Sequence, residues 1–474
     1  MYRKRSLLHF KTNYFLVLFF ILFLLNAGTL KDCVYGQERT RGETQHLTLK
    51  ESIEIALERS KNLLIAKSKI NEANSGLSLS MTAFLPKVST AFNYIRMDEA
   101  PFFPTSRFAQ LGMGGGEGSL PAEDMPKKIT IGDYNNYAAA FSIRQPVFTG
   151  GKIKNSYKIS GLMLDAAEAN VEKTQNDLIF EVEKAYWNVI KIKEFKKVAE
   201  NAVELVEAHM RDLNNMFEVG MVTENDLLRT KVQLSNARLQ LIQATNGVQL
   251  STISFCNILG IPLDTDVELI DKLETESIPD LDLDKIISNA FMQRPELKAF
   301  DSNIEIAKKS IEINNAGYLP DIYFSTDYGY RRPDREYNKD FFGTWTVSFL
   351  AQFNLFDWGE TSYKISESKE RLYQNEIAME QLKDGIILEV TSNYLKLLEA
   401  GEIIEMSRIN VQQAEENYRA TDDRFKEGFT TNTELLDANT LLTRARTDYI
   451  AALADYRTAL AGLKKSTGEL YINK

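Results

Sequence analysis

The sequence predicts a mixed α and β protein. Long antiparallel helical hairpins are joined to antiparallel strands of membrane-crossing length, four per chain, and the whole arrangement occurs twice. Three observations predict this. The first is an internal duplication: Leu47–Tyr94 aligns with Leu281–Tyr328 at a constant offset of 234, with Ala56/Ala290, Leu63/Leu297, Pro86/Pro320 and Tyr94/Tyr328 identical. Gln145–Gly260 aligns with Phe353–Gly468 at an offset of 208, with Phe148/Phe356, Val182/Val390, Gly220/Gly428 and Gly260/Gly468 identical. The second is period-two alternation of apolar and polar residues in four segments of membrane-strand length. The third is a proline-free stretch with heptad spacing after each strand pair. A repeat this long is a half-molecule rather than a solenoid unit. The offset falls from 234 to 208, so the first copy holds 26 residues that the second lacks.

The chain opens with Arg3, Lys4, Arg5 and Lys11 before an apolar run from Tyr14 to Leu25. That order reads as a secretory signal peptide over 1–36. Cleavage fits after Val34-Tyr35-Gly36 and less well at Ala27-Gly28; an uncleaved signal anchor is the competing reading. Cys33 follows Leu30-Lys31-Asp32, a charged pair unsuited to lipid attachment, and Cys256 has no partner for a disulfide framework. With a formal charge of −10, nothing favours nucleic-acid binding. With only 11 prolines and 25 glycines in 474 residues, the composition suits long regular elements.

The first repeat spans 47–260. A helix over 49–83 follows from apolar positions at Ile53, Ala56, Leu57, Leu64 and Ile65, and Pro86 ends it. Strands follow over 87–96 and 136–148, separated by an outer loop over 97–135. In the first, Val88, Thr90, Phe92 and Tyr94 oppose Ser89, Ala91 and Asn93. In the second, Tyr137, Ala139, Phe141, Ile143 and Val147 oppose Asn136, Ser142 and Arg144. The outer loop holds the 26 extra residues and Gly114–Gly116. It lacks the lysine-hydroxyl pair and the directly following helix of a phosphate cradle, and Gly150-Gly151-Lys152 fails the same test.

The hairpin over 152–260 turns near 220. Its outgoing arm has no proline and would reach roughly 100 Å at about 1.5 Å per residue. Leu178, Val182, Ala185, Val189 and Ile192 follow a coiled-coil rhythm, and the return arm repeats Leu227, Leu234, Leu241 and Val248. The small residues Thr230, Ala237, Ala244 and Ser251 form a parallel column that reads as packing.

An equatorial segment, 261–280, leads to the second repeat over 281–468. Its parts are a helix over 283–317, strands over 320–330 and 341–356, and a hairpin over 360–468 with its tip near 428; a tail over 469–474 follows. Ile322, Phe324, Thr326 and Tyr328 oppose Asp321, Ser325 and Asp327. Trp345, Val347, Phe349, Ala351, Phe353 and Leu355 oppose Thr344, Thr346, Ser348, Gln352 and Asn354. Tyr94, Tyr137, Tyr328, Tyr330 and Trp345 gather toward the loop ends as membrane-interface aromatics would. The competing reading is an amphipathic sheet on a soluble core. Four strands do not close a barrel, which needs about eight, and hydrocarbon tolerates no open edge. If the strands span a membrane, the chain must oligomerise, and three copies supply twelve strands.

The two tips match: Phe217-Glu218-Val219-Gly220-Met221-Val222-Thr223 and Phe425-Lys426-Glu427-Gly428-Phe429-Thr430-Thr431. Each glycine suits a left-handed helix C-cap. Each final threonine suits an N-cap, with Thr431 and Glu434 fitting the capping box fully and Thr223 with Asp226 only approximately.

The ordered set of motifs resembles the TolC-type outer-membrane efflux channel family. It comprises the opening Leu47–Leu57, Arg294-Pro295-Glu296-Leu297, Leu85-Pro86 with Leu319-Pro320, Pro146-Val147-Phe148 before Gly150-Gly151, Asn354–Gly359, and the two glycine tips. The resemblance implies a homotrimer in the outer membrane of a Gram-negative bacterium. Its fold would be a long α-helical coiled-coil barrel of twelve helices crossing the periplasm, joined to a transmembrane antiparallel β-barrel of twelve strands. The tips, at Val219, Gly220, Met221, Glu427, Gly428, Phe429 and Thr430, would meet a periplasmic adaptor protein that links the channel to an inner-membrane pump. Acidic residues beyond the second tip, Glu434 and Asp437, would ring the entrance, with Asp226 as the twin of Glu434. Crowded carboxylates attract cations and repel one another, so a closed entrance should respond to divalent cations or low pH.

Two other classes compete. An enzyme is disfavoured: only His9, His46 and His209 occur, with no nucleophile motif and no metal-ligand cluster, so no catalytic residue, metal or cofactor is expected. His209 reads as a packed or solvated helix residue. A periplasmic coiled-coil adaptor or scaffold without a pore would share the signal and the hairpins, but would not need two hairpins and four strands of lipid-type alternation.

Overall fold

The computed structural model describes residues 44–104, 128–274, 282–334, 336 and 338–469. The signal segment 1–36 with Cys33, the centre of the outer loop (105–127), the end of the equatorial segment with Leu281, and tail residues 470–474 lie outside the described residues.

Strand β1 (Gln45–Leu47) is followed by α1 (Leu49–Arg59) and α2 (Lys61–Met81). The expected single helix over 49–83 is therefore two helices and a 3-10 turn, Thr82–Phe84. Ser60 takes φ −58°, ψ 122°, and its N–H still bonds the Ala56 carbonyl, so it closes one helix and opens the next. The chain passes close by at this break: Gly260 lies against the Arg59 carbonyl so closely that a Cβ there would sit 2.6 Å from the oxygen. The expected helix over 283–317 divides in the same way, into α5 (Leu283–Gln293) and α6 (Pro295–Asn315). There Pro295 forces the preceding Arg294 out of the helical region.

The main sheet contains β2 (Lys87–Arg96), β5 (Asn135–Phe148), β7 (Asp321–Arg332) and β8 (Phe342–Gln352), antiparallel throughout in the order β2-β5-β7-β8. Two small ladders were not foreseen. β3 (Phe102–Pro104) pairs with β4 (Lys128–Thr130) at the base of the outer loop, and β1 pairs in parallel with β6 (Val267–Leu269).

Register gathers the apolar positions of the four strands on one face, broken by Thr90, Gln145 and Thr326. Phe92 lies opposite Ala139, Tyr94 opposite Tyr137, Phe141 opposite Tyr328, Tyr328 opposite Trp345 and Phe324 opposite Phe349. Ser89, Ser142, Asp327 and Thr346 run across the other face, where the Ser325 and Ser348 hydroxyls bond at 2.8 Å. A register shift between Pro146 and Phe148 places Phe148, rather than Val147, opposite Ile322. Plain alternation misses this extra residue. Strand β8 was expected to reach 356 but stops at Gln352, opposite Asp321, the first residue of β7. Beyond that point no described residue pairs with it as a strand.

Hairpin one consists of α3 (Lys152–Glu218) and α4 (Glu224–Leu259); hairpin two consists of α7 (Glu360–Lys426) and α8 (Asn432–Thr467). The outgoing arms are each 67 residues and the return arms each 36. No described helix is long and apolar enough to cross a membrane.

The core sits where the short helices meet the hairpins, and it too is duplicated. Ala56 and Ala290, and Val182 and Val390, are twins with no exposed surface. The two halves are fastened differently. In the first, the buried Tyr186 hydroxyl donates to the Asp271 carboxylate (2.8 Å), which also accepts the Leu49 N–H at the start of α1 (2.9 Å). In the second, buried Arg294 reaches Glu389 (2.7 Å), Glu296 (3.2 Å) and the Ser466 carbonyl. Burial costs the guanidinium hydration, yet the two carboxylates hold its pKa above the usual value.

Candidate functional site

At the far end of the hairpins the helices turn through matched left-handed glycines, Gly220 at φ +76° and Gly428 at φ +79°. Both turns are Schellman motifs. Gly220 N–H bonds the Phe217 carbonyl (3.0 Å) and Met221 N–H the Met216 carbonyl (2.9 Å); Gly428 bonds Phe425 (3.0 Å) and Phe429 bonds Arg424 (2.8 Å). The C-terminal carbonyls are thus satisfied without side chains. The tip side chains face outward: Val219, Met221 and Phe429 are each about 70% exposed, Glu427 is exposed, and Thr430 is half-buried.

The capping pattern reverses the expectation. Thr223 and Asp226 make the complete box: Asp226 N–H bonds the Thr223 hydroxyl (3.3 Å), and the Asp226 carboxylate accepts from the Thr223 N–H (3.1 Å) and hydroxyl (2.6 Å). At the second tip the Glu434 N–H bonds the Thr431 hydroxyl (3.3 Å), but the Glu434 carboxylate takes the Thr430 hydroxyl instead. Thr430 has no counterpart in the first tip, where Val222 stands in its place. The Thr223 hydroxyl, assisted by its backbone N–H, Asn432 and Arg229, holds the Asp226 carboxyl below the usual aspartate pKa. Glu434 and Asp437 are exposed and three residues apart on α8, so they share a face.

A buried polar link behind the tips joins the two hairpins, and sequence reasoning missed it. Asn432, 4% exposed, donates to the Asp226 carbonyl (3.1 Å) and the Thr230 hydroxyl (3.2 Å). Its carbonyl oxygen lies 2.7 Å from His209 Nε2. Because the Asp226 carbonyl can only accept, the Asn432 amide has a fixed orientation, and His209 Nε2 must carry the donated proton. The His209 ring packs edge-on against Phe425 at 5.1 Å, within a cluster of Leu213, Leu227, Phe425 and Leu435. Arg229 adds a bond to the Thr433 hydroxyl at 2.9 Å. The one available signal was a lone histidine inside a heptad stretch; its partner lies 223 residues away.

At the opposite end, the sequence-predicted aromatics come together on the apolar face of the sheet. Tyr94 and Tyr137 are cross-strand partners with ring centroids 4.9 Å apart, Tyr330 stacks on Phe341 at 5.1 Å, and Trp345 lies opposite Tyr328. Tyr94, Tyr328, Tyr330 and Trp345 are exposed. Among the described residues no group of three or more His, Cys, Asp and Glu is placed to hold a metal ion.

A family model described as outer membrane efflux protein matches residues 52–260 and 286–469. The chain is 23% identical over 317 residues to the alkaline protease secretion protein AprF of Pseudomonas aeruginosa, covering 65% of this chain and 64% of that protein. It is 18% identical over 377 residues to the outer membrane efflux protein BepC of Brucella suis biovar 1, covering 79% and 75%. The solved CmeC outer membrane channel of Campylobacter jejuni superposes with a TM-score of 0.74 at 15% identity, covering 89% of this chain and 85% of that one.

Proposed function

From a chain that belongs to the outer membrane efflux protein family, we propose an outer-membrane export channel that works as a homotrimer. The single observation that carries this is the sheet. It has one predominantly apolar face, exposed at Phe92, Trp345 and Phe349, and among the described residues an edge strand on each side with no strand partner. Hydrocarbon accepts the face and forbids the edges. Three copies join them into twelve strands whose polar faces line a lumen.

The hairpins extend roughly 100 Å from the sheet into the periplasm. Their exposed tips, Val219 to Met221 and Glu427 to Thr430, offer rigid turns for a periplasmic adaptor protein, which links the channel to an inner-membrane pump. The channel does no chemistry. Energy comes from the pump, and the trimer supplies a path and a controlled entrance. Glu434 and Asp437, repeated three times, place carboxylates around that entrance and bind cations when it is closed. The names of AprF and BepC span protein secretion and efflux, so a pump of either system is a fitting partner.

Reconstitution in planar bilayers tests the reading. The outer-membrane fraction should yield a heat-modifiable trimer that conducts ions and is blocked by divalent cations from the tip side. A Glu434→Ala/Asp437→Ala variant should lose that block. A soluble monomer without conductance would refute the channel, and an unchanged block would refute the acidic ring.

A further inference from the structure

The duplication maps contacts inside one chain onto contacts between chains. Within the chain, the second strand of repeat one (β5) pairs with the first strand of repeat two (β7). The second strand of repeat two (β8) and the first strand of repeat one (β2) are left as the two open edges. Adding 208 to β5 and subtracting 234 from β7 converts the internal register into one for the open edges. Ile143 opposite Thr326 becomes Ala351 opposite Phe92, and Phe148 opposite Ile322 becomes Phe356 opposite Val88. The predominantly apolar faces stay on one side under this mapping.

Three further observations agree. The internal seam is closed at its helical end by an ion pair, Lys152 to Asp321 at 2.9 Å. Its mapped twin is Glu360 with Lys87, the same attraction with both signs reversed. Residues 353–356 leave strand geometry after Gln352, whereas their twins 145–148 remain in strand because β7 holds them. The partner that would hold 353–356 is the segment from Val88 to Thr90, which lies at the opposite edge of the sheet. That free run is also among the most exposed apolar stretches of the chain, with Leu355 at 87% and Phe356 at 72%.

Resting on the trimeric reading, we propose that β8 of each copy pairs with β2 of the next in this register. Strand β8 then extends to Phe356, and a Glu360–Lys87 bridge between copies locks the seam. The partner is a second copy of this chain. The two kinds of seam differ at one level. A Cβ on Gly150 would lie 2.9 Å from Ala316, whereas the twin of Gly150 is Trp358, held at φ +55° and 86% exposed. The seam between copies therefore stands wider there, with the Trp358 indole in the gap.

Cysteine pairs and a charge swap test this on the full-length protein extracted from membranes. Ala351→Cys with Phe92→Cys should give covalent dimers and trimers on non-reducing gels, and Ala351→Cys with Tyr94→Cys should give far fewer. Glu360→Lys should lower the heat-dissociation temperature of the trimer by several degrees, and adding Lys87→Glu should restore it. Stronger cross-linking by the Tyr94 pair, or a swap that restores nothing, overturns the seam. Native mass separates the two levels. A trimer without the Ala351–Phe92 cross-link refutes the seam and leaves the channel standing, whereas a monomer refutes both.

Discussion

Asn432→Ala is the sharpest probe of how the two hairpins are held together at their tips. The side chain is 4% exposed and serves three groups, the Asp226 carbonyl, the Thr230 hydroxyl and His209. Two of these keep other partners: the Thr230 hydroxyl still donates to the Asp226 carbonyl at 3.0 Å. His209 Nε2 loses its partner, and a buried donor left unsatisfied costs about 1–3 kcal/mol. The lost amide contacts add to this, so a total of about 2–3 kcal/mol is expected for separation of the tips. At about 1.4 kcal/mol per tenfold, that is a 30- to 150-fold rise in the opened population. Native-state hydrogen exchange at the amides of Leu227 to Lys231 reads it directly, as lost protection. His209→Ala should give a similar loss, and the double variant little more than either single one, because each removes the same bond. Protection within threefold of the parent, or additive losses, would refute the link.

Four other outcomes follow from the same geometry. Gly220→Ala meets open space, so its cost is the backbone alone, about 1–2 kcal/mol at φ +76°, seen as faster exchange confined to the first tip. Gly260→Ala adds a Cβ 2.6 Å from the Arg59 carbonyl at φ +73° and should lower the melting temperature far more than Gly220→Ala. Asp226 has a lowered pKa in the folded state, so its capping contribution is complete above the unfolded value of about 3.9 and fades as pH falls through the folded one. Protection at the first tip, corrected for the intrinsic exchange rate at each pH, should be level from neutral pH to about 5 and fall below about 4, and Asp226→Asn should abolish that dependence. Arg294→Met strands the half-buried Glu296 and should destabilise by about 3 kcal/mol or more, and Glu296→Gln added to it should recover part, both measured by thermal unfolding in detergent.

Period and position made much of this protein legible. The strand segments were readable because one face of each is mostly apolar at a period of two. The tip glycines were readable because a left-handed cap rejects most other residues. The breaks at Ser60 and Arg294 were missed because both helical patterns continue across them. Pro295 marked the second break, and nothing in the sequence beside Ser60 announces that Gly260 will lie against Arg59. The capping box went to the wrong tip because a glutamate suits the consensus, whereas Thr430 competes for its carboxylate only in three dimensions.

Local periodicity alone specifies the long hairpin helices, the four strands of the main sheet, their duplication and the side of each strand that seeks apolar surroundings. Tertiary structure decided which groups meet: Asn432 with His209, Arg294 with Glu389, and β5 with β7 through an extra residue at Val147. Buried polar groups take whichever partner the fold brings within about 3 Å, and a distance of that kind between residues 95 or 223 positions apart is not written in any local pattern.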